Sequence, residues 1–82
     1  MIYRVEYFKN VLPAFERMDK FTKVILLGWI DKNLEGCSDP RIHGKPLLAD
    51  QFEQWRYRVG DYRILADIKE DKILILAVTI GH

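Results

Sequence analysis

Trp55-Arg56-Tyr57-Arg58-Val59-Gly60-Asp61-Tyr62-Arg63-Ile64 is the stretch whose reading settles the fold. Two runs of strand-forming residues flank Gly60-Asp61, a pair that favours a tight two-residue hairpin turn. That turn sets the register: Val59 faces Tyr62, Arg58 faces Arg63, Tyr57 faces Ile64 and Arg56 faces Leu65. Trp55, Tyr57, Val59, Tyr62 and Ile64 then share a core face, while Arg56, Arg58 and Arg63 share the opposite one. Directly opposed arginines are unfavourable by a few tenths of a kcal/mol or more. Folding does not ask for them. Either the cluster is an anion site, because arginine's planar fork binds phosphate oxygens bidentately and never deprotonates, or Asp67 and Glu53 neutralise it. A slip of one residue would move Arg63 to the other face, so the assignment stands on the turn.

Working outward, Glu70-Asp71 turns the chain into a last strand, Ile73–Ile80. Extending the register puts Asp67, Leu65 and Arg63 opposite Leu74, Leu76 and Val78, and sets His82 on the arginine face. The last strand is apolar on both faces, which marks it as central or covered on both sides. A partner segment is expected over part of the face away from the helices. Upstream, Cys37–Lys45 reads as a loop containing Asp39-Pro40 and His43-Gly44. A helix precedes it, from Lys20 to about Glu35, capped by Asp19 and ended by Gly36. Its middle, Val24–Ile30, is apolar nearly all round and is expected to be buried on more than one side, against the sheet and the first helix or beneath a partner protein. A shorter helix is expected from an Asn10 cap to about Met18, with Pro13 at its third position, where the missing N–H had no partner. Ile2–Tyr7 reads as a strand. The order β-α-α-β-β-β predicts an α+β fold, a helical hairpin packed on an antiparallel sheet.

At 82 residues the chain is expected to form one domain, residues 1–82, with 49% apolar residues to build its core. Cys37 is the single cysteine, so no internal disulfide is expected, and a reducing cytoplasm is the natural compartment. The apolar runs are too short to span a bilayer, and no signal peptide is read. A net charge of +1 argues against nucleic-acid binding by bulk electrostatics. Any such binding needs a local concentration of charge, which the hairpin supplies. Cys37, Asp39, His43 and His82 do not have metal-ligand spacing, so neither metal nor cofactor is expected. Trp55 and Tyr57 are base-stacking residue types, but their place is the core face. His43 either binds phosphate or caps the end of the second helix. Lys45 is a basic residue near the cluster, either an RNA contact or an idle surface lysine.

His43-Gly44-Lys45-Pro46-Leu47, the run Trp55–Ile64 and Ile80-Gly81-His82 together resemble the RelE/ParE toxin superfamily, on its RelE side, over essentially the whole chain. The resemblance implies a microbial-RNase-like fold and the toxin of a type II toxin–antitoxin pair, acting as a ribosome-dependent mRNA endonuclease. It implies a cognate antitoxin, the ribosome and mRNA as partners. It also implies metal-independent attack of an RNA 2′-OH on the adjacent phosphate. By the same resemblance, Arg63 stabilises transition-state charge, and Arg56 binds phosphate or moves a proton. Arg58, Lys45 and His43 hold RNA. Gln54 stands where some members carry lysine. Members usually continue past this last Gly-His with an arginine and a tyrosine. Here the sequence ends at His82, which could act as acid or base in their place. The expectation is weakened or absent cleavage with antitoxin binding kept. The alternatives are a ParE-like toxin that inhibits DNA gyrase without nuclease action, and a decayed paralogue that only binds an antitoxin.

Overall fold

Gly60, the first of the two turn residues, takes the left-handed φ of +60° that a tight hairpin turn needs and glycine supplies. On either side of it lie β3 (Gln54–Val59) and β4 (Tyr62–Lys69), paired in the expected register from Val59–Tyr62 through Arg58–Arg63 to Gln54–Asp67. The structure, a computed structural model, describes residues 2–46 and 54–81. The other elements are β1 (Arg4–Tyr7), α1 (Leu12–Glu16), α2 (Lys20–Asn33), β2 (Lys45–Pro46) and β5 (Lys72–Ile80). They form a five-stranded sheet in the order β1-β5-β4-β3-β2, with the helices on one face.

Two features of the sheet differ from the expectation. β1 pairs with β5 in parallel, Val5 beside Ile73 and Tyr7 beside Ile75, so the sheet is mixed rather than antiparallel. The two helices carry the chain across one face from β1 at one edge to β2 at the other, and the antiparallel β3, β4 and β5 return it to β1. Second, the β4–β5 ladder holds a bulge. Ala66 pairs with Ile75 but Leu65 pairs with Ala77, leaving Leu76 as the extra residue. Of the expected partners only Asp67–Leu74 is formed; Leu65 meets Ala77 and Arg63 meets Thr79. Ile73 and Ile75 therefore face the helices before the bulge, and Val78 does so after it. The register that put His82 on the arginine face fails at Leu76, and His82 itself lies outside the described residues.

Asp19 caps α2 as expected, its carboxylate accepting from the Thr22 N–H at 3.1 Å and from the Thr22 hydroxyl at 2.6 Å. Those bonds hold its carboxyl below the usual range. Asn10 does not cap α1. It lies inside a 3₁₀ turn, Lys9–Val11, that buries Val11 and runs straight into α1. Leu26, Ile30 and Leu34 recur every fourth residue and face the sheet, fully buried with Val11, Phe15, Tyr57, Ile64 and Ile75. The opposite face of α2 is bare: Phe21 is 73% exposed and Val24 61%. Burial of the helix on both sides is not found, because α1, at five residues, is too short to cover it.

Candidate functional site: a cationic cleft on the open sheet face

Strand pairing places the cations before any side chain is considered. Arg58 is directly opposite Arg63 across β3–β4, and Lys45 is directly opposite Arg56 across β2–β3. Paired residues project to the same face. Four cations thus stand as two like-charged pairs on the sheet face away from the helices. Like charges directly opposite each other across strands are destabilising. Among the described residues, Arg56, Arg58 and Lys45 have no acidic group within ion-pair distance. Asp67 does not neutralise them: its Oδ1 is buried without a hydrogen-bond partner. Glu53 lies outside the described residues.

A loop closes the site from the side. Asp39 accepts from the Arg41 N–H at 3.0 Å and starts a 3₁₀ turn, Pro40–His43. Two core-face aromatics of β3 strap this turn to the sheet. The Tyr57 hydroxyl donates to the Pro40 carbonyl at 2.8 Å, and the Trp55 indole N–H donates to the Arg41 carbonyl at 3.2 Å. The Arg41 guanidinium lies 5.8 Å from the Trp55 ring centroid, within cation–π reach. Burial pushes the Tyr57 phenol far up, so it stays protonated and remains a donor. Gly44 packs against the β3 backbone so closely that a Cβ there would overlap the Arg56 carbonyl oxygen and come within 2.9 Å of Trp55 Cδ1. The strap brings His43 and Lys45 to the arginines. Together Ile42, His43, Gly44, Lys45, Arg56, Arg58 and Arg63 line one cleft of about 350 Å³.

Five of the six residues singled out in the sequence, His43, Lys45, Arg56, Arg58 and Arg63, meet in this cleft. The sixth, His82, lies outside the described residues. His43 does not cap α2; its ring meets Trp29 edge-on at 6.2 Å, and Trp29 in turn packs on Tyr57 at 5.6 Å. Trp55 and Tyr57 belong to the core side, as their face predicts. Sequence reasoning missed Ile42 and Gly44. The glycine carried a usable signal, since it sits in the His43–Leu47 motif stretch. Cys37 carries no nucleophile signal: its thiol is pushed up, mainly by burial. Among the described residues no three His, Cys, Asp or Glu side chains gather as a metal site, and no helix is long and apolar enough to cross a membrane.

A helical pair on one sheet face and a cation cluster on the other define a small α+β protein of the RelE-like fold. A family model described as the ParE toxin of type II toxin–antitoxin systems, parDE, matches residues 2–82, and the chain belongs to that family, within the RelE/ParE superfamily of toxins. Solved structures agree on the fold. The RelBE2 toxin–antitoxin complex of Mycobacterium tuberculosis matches with a TM-score of 0.84 at 21% identity, covering 98% of this chain and 92% of that one. The RelE–RelB complex of Pyrococcus horikoshii matches at 0.73 and 24% identity, with coverage of 98% and 96%. The isolated Escherichia coli RelE toxin matches at 0.76 and 13% identity, with coverage of 98% and 85%. A search of curated protein sequences returns no significant match.

Proposed function

We propose that this toxin acts in the cytoplasm, with residues 1–82 as one domain, on messenger RNA at the ribosome, holding the RNA backbone in the cationic cleft. The observation that carries the reading is the pairing of four cations on one sheet face of a protein whose net charge is only +1. Like-charged cross-strand neighbours oppose folding, and a bound polyanion would offset that repulsion. In this reading Arg58 and Lys45 hold flanking phosphates, and Arg56 and Arg63 face the scissile one. Attack of the 2′-oxygen on phosphorus forms one P–O bond while the bond to the 5′-oxygen breaks with its electron pair. Guanidinium groups suit the charge that builds on the non-bridging oxygens. A proton must leave the 2′-OH and another must reach the 5′-oxygen. His43 stands in the cleft for one of these steps, and His82 remains a proposed second participant.

A cognate antitoxin is the proposed regulator. The M. tuberculosis and P. horikoshii toxins were solved with theirs, and the exposed Phe21, Val24 and Ile25 on α2 offer an apolar face for such a partner. A second reading, inhibition of DNA gyrase by binding alone, is supported by the ParE description of the matching family. Two assays separate the readings. Cleavage of mRNA on programmed ribosomes, lost in Arg63→Ala, supports the first. Inhibition of gyrase supercoiling with RNA left intact supports the second and contradicts the first.

A further inference from the structure

We infer that Gly81 is a positioning residue: together with the Leu76 bulge it makes a shelf on which the stem of Arg63 lies while that residue lines the cleft. Three observations carry this. The bulge shifts β5 by one residue, so that Ala77 and Thr79, and not Leu76 and Val78, stand opposite Leu65 and Arg63. Without the bulge, that phase would turn Ile80 toward the arginine face and Gly81 away from it. With it, the position one step past Thr79 on the arginine face belongs to Gly81.

Gly81 is also fixed in place. Its N–H donates to the Asp61 carbonyl at 2.7 Å, which ties the end of β5 to the β3–β4 turn, and the residue is buried. Finally, the fit to Arg63 leaves no room for a side chain. A Cβ built on Gly81 would overlap Arg63 Nε and Cδ and would come within 2.6 Å of Cγ. The overlap begins at Cγ, near the root of the side chain, so the guanidinium cannot simply swing aside while its stem stays put. A methyl group there obliges Arg63 to take another rotamer and displaces its charge from the place at which it lines the cleft. Gly81 touches no RNA in this scheme; it acts through Arg63. Bulges next to functional sites commonly re-aim a side chain in this way.

The inference rests on the RNA reading only for its functional consequence; the geometry can be tested alone. In the unmodified protein, NMR should show a cross-peak between the Gly81 Hα and Arg63 Hγ or Hδ protons, and its absence would overturn the proposal. Gly81→Ala should move the Arg63 Nε–Hε resonance while the far-UV spectrum stays native. The functional arm uses a fluorescent oligoribonucleotide with a 2′-deoxy substitution, which can bind but lacks the attacking hydroxyl. Gly81→Ala should weaken its binding by roughly tenfold to hundredfold, the value of a charge-assisted contact. It should weaken binding little further in an Arg63→Ala background. An equal loss in both backgrounds, or an unmoved Nε–Hε resonance, would contradict the role. If Arg63→Ala alone leaves RNA binding unchanged, the RNA reading fails, and the two NMR observations still decide the positioning role.

Discussion

The two faces of the β3–β4 hairpin are built from alternate residues of the same strands, yet they follow opposite rules. On the helix side, Tyr57, Ile64 and Ala66 are fully buried, and the polar ends of Tyr57 and Trp55 find the Pro40 and Arg41 carbonyls. These groups agree with folding. On the open side, Arg56, Arg58 and Lys45 stand beside like charges with no described acidic partner, and the buried Asp67 Oδ1 has no hydrogen bond. The difference teaches where stability is made and where it is given up. Natural sequences break local rules mostly where a ligand repays the breach.

That contrast can be broken by substitution. The largest expected effect is on the helix side: Tyr57→Ala should cost about 3–5 kcal/mol in urea unfolding, the usual cost of emptying a large aromatic site. It should also release the Pro40–His43 turn, so RNA binding falls with stability. On the open side the two quantities should separate. Arg63→Ala should lower single-turnover cleavage by about 10²–10³-fold, the scale of a lost oxyanion donor, while the far-UV spectrum stays native.

A smaller change sharpens the helix-side half. Tyr57→Phe leaves the buried Pro40 carbonyl without its donor and should cost about 1–3 kcal/mol. It should also change the alkaline limb of stability. Burial raises the folded phenol above its ordinary value of 10.0. As pH climbs past that value the unfolded chain gives up its proton first, so stability is lost from there upward. The Phe variant should lack that part of the decline. The smallest effect belongs to Arg58→Ala, which removes one like-charged pair and should stabilise the protein by a few tenths of a kcal/mol while weakening RNA binding. A loss of stability there would mean that the open face supports the fold.

Much of this contrast was legible in the sequence because it is local. The Gly60-Asp61 turn determines the hairpin register, and the register determines which side chains share a face. Asp19 announces its helix because a cap is read within a few residues. What escaped is non-local. Nothing in Ile2–Tyr7 says that it will lie parallel to β5. The bulge at Leu76 is hidden because Ile73–Val78 is apolar on both faces, so an added residue leaves no break in the alternation. The cleft's second wall was likewise invisible, since Trp55 and Tyr57 read as core. Their polar ends, which strap Pro40 and Arg41 and so deliver His43 and Lys45, reach across 14 and 17 residues of sequence. The bare face of α2 was misjudged for a related reason, because an apolar surface looks the same in sequence whether its own chain or a partner is to cover it.

The most direct measurement of the central claim is RNA titration of the triple variant Arg56→Ala, Arg58→Ala, Arg63→Ala at several salt concentrations, with its melt recorded alongside. The wild-type protein should lose affinity with salt at a log–log slope of roughly 0.7 per phosphate neutralised by the cleft. The triple variant should bind far more weakly and show a shallower slope while still melting cooperatively. RNA binding that keeps its affinity and slope without the three arginines would contradict the account.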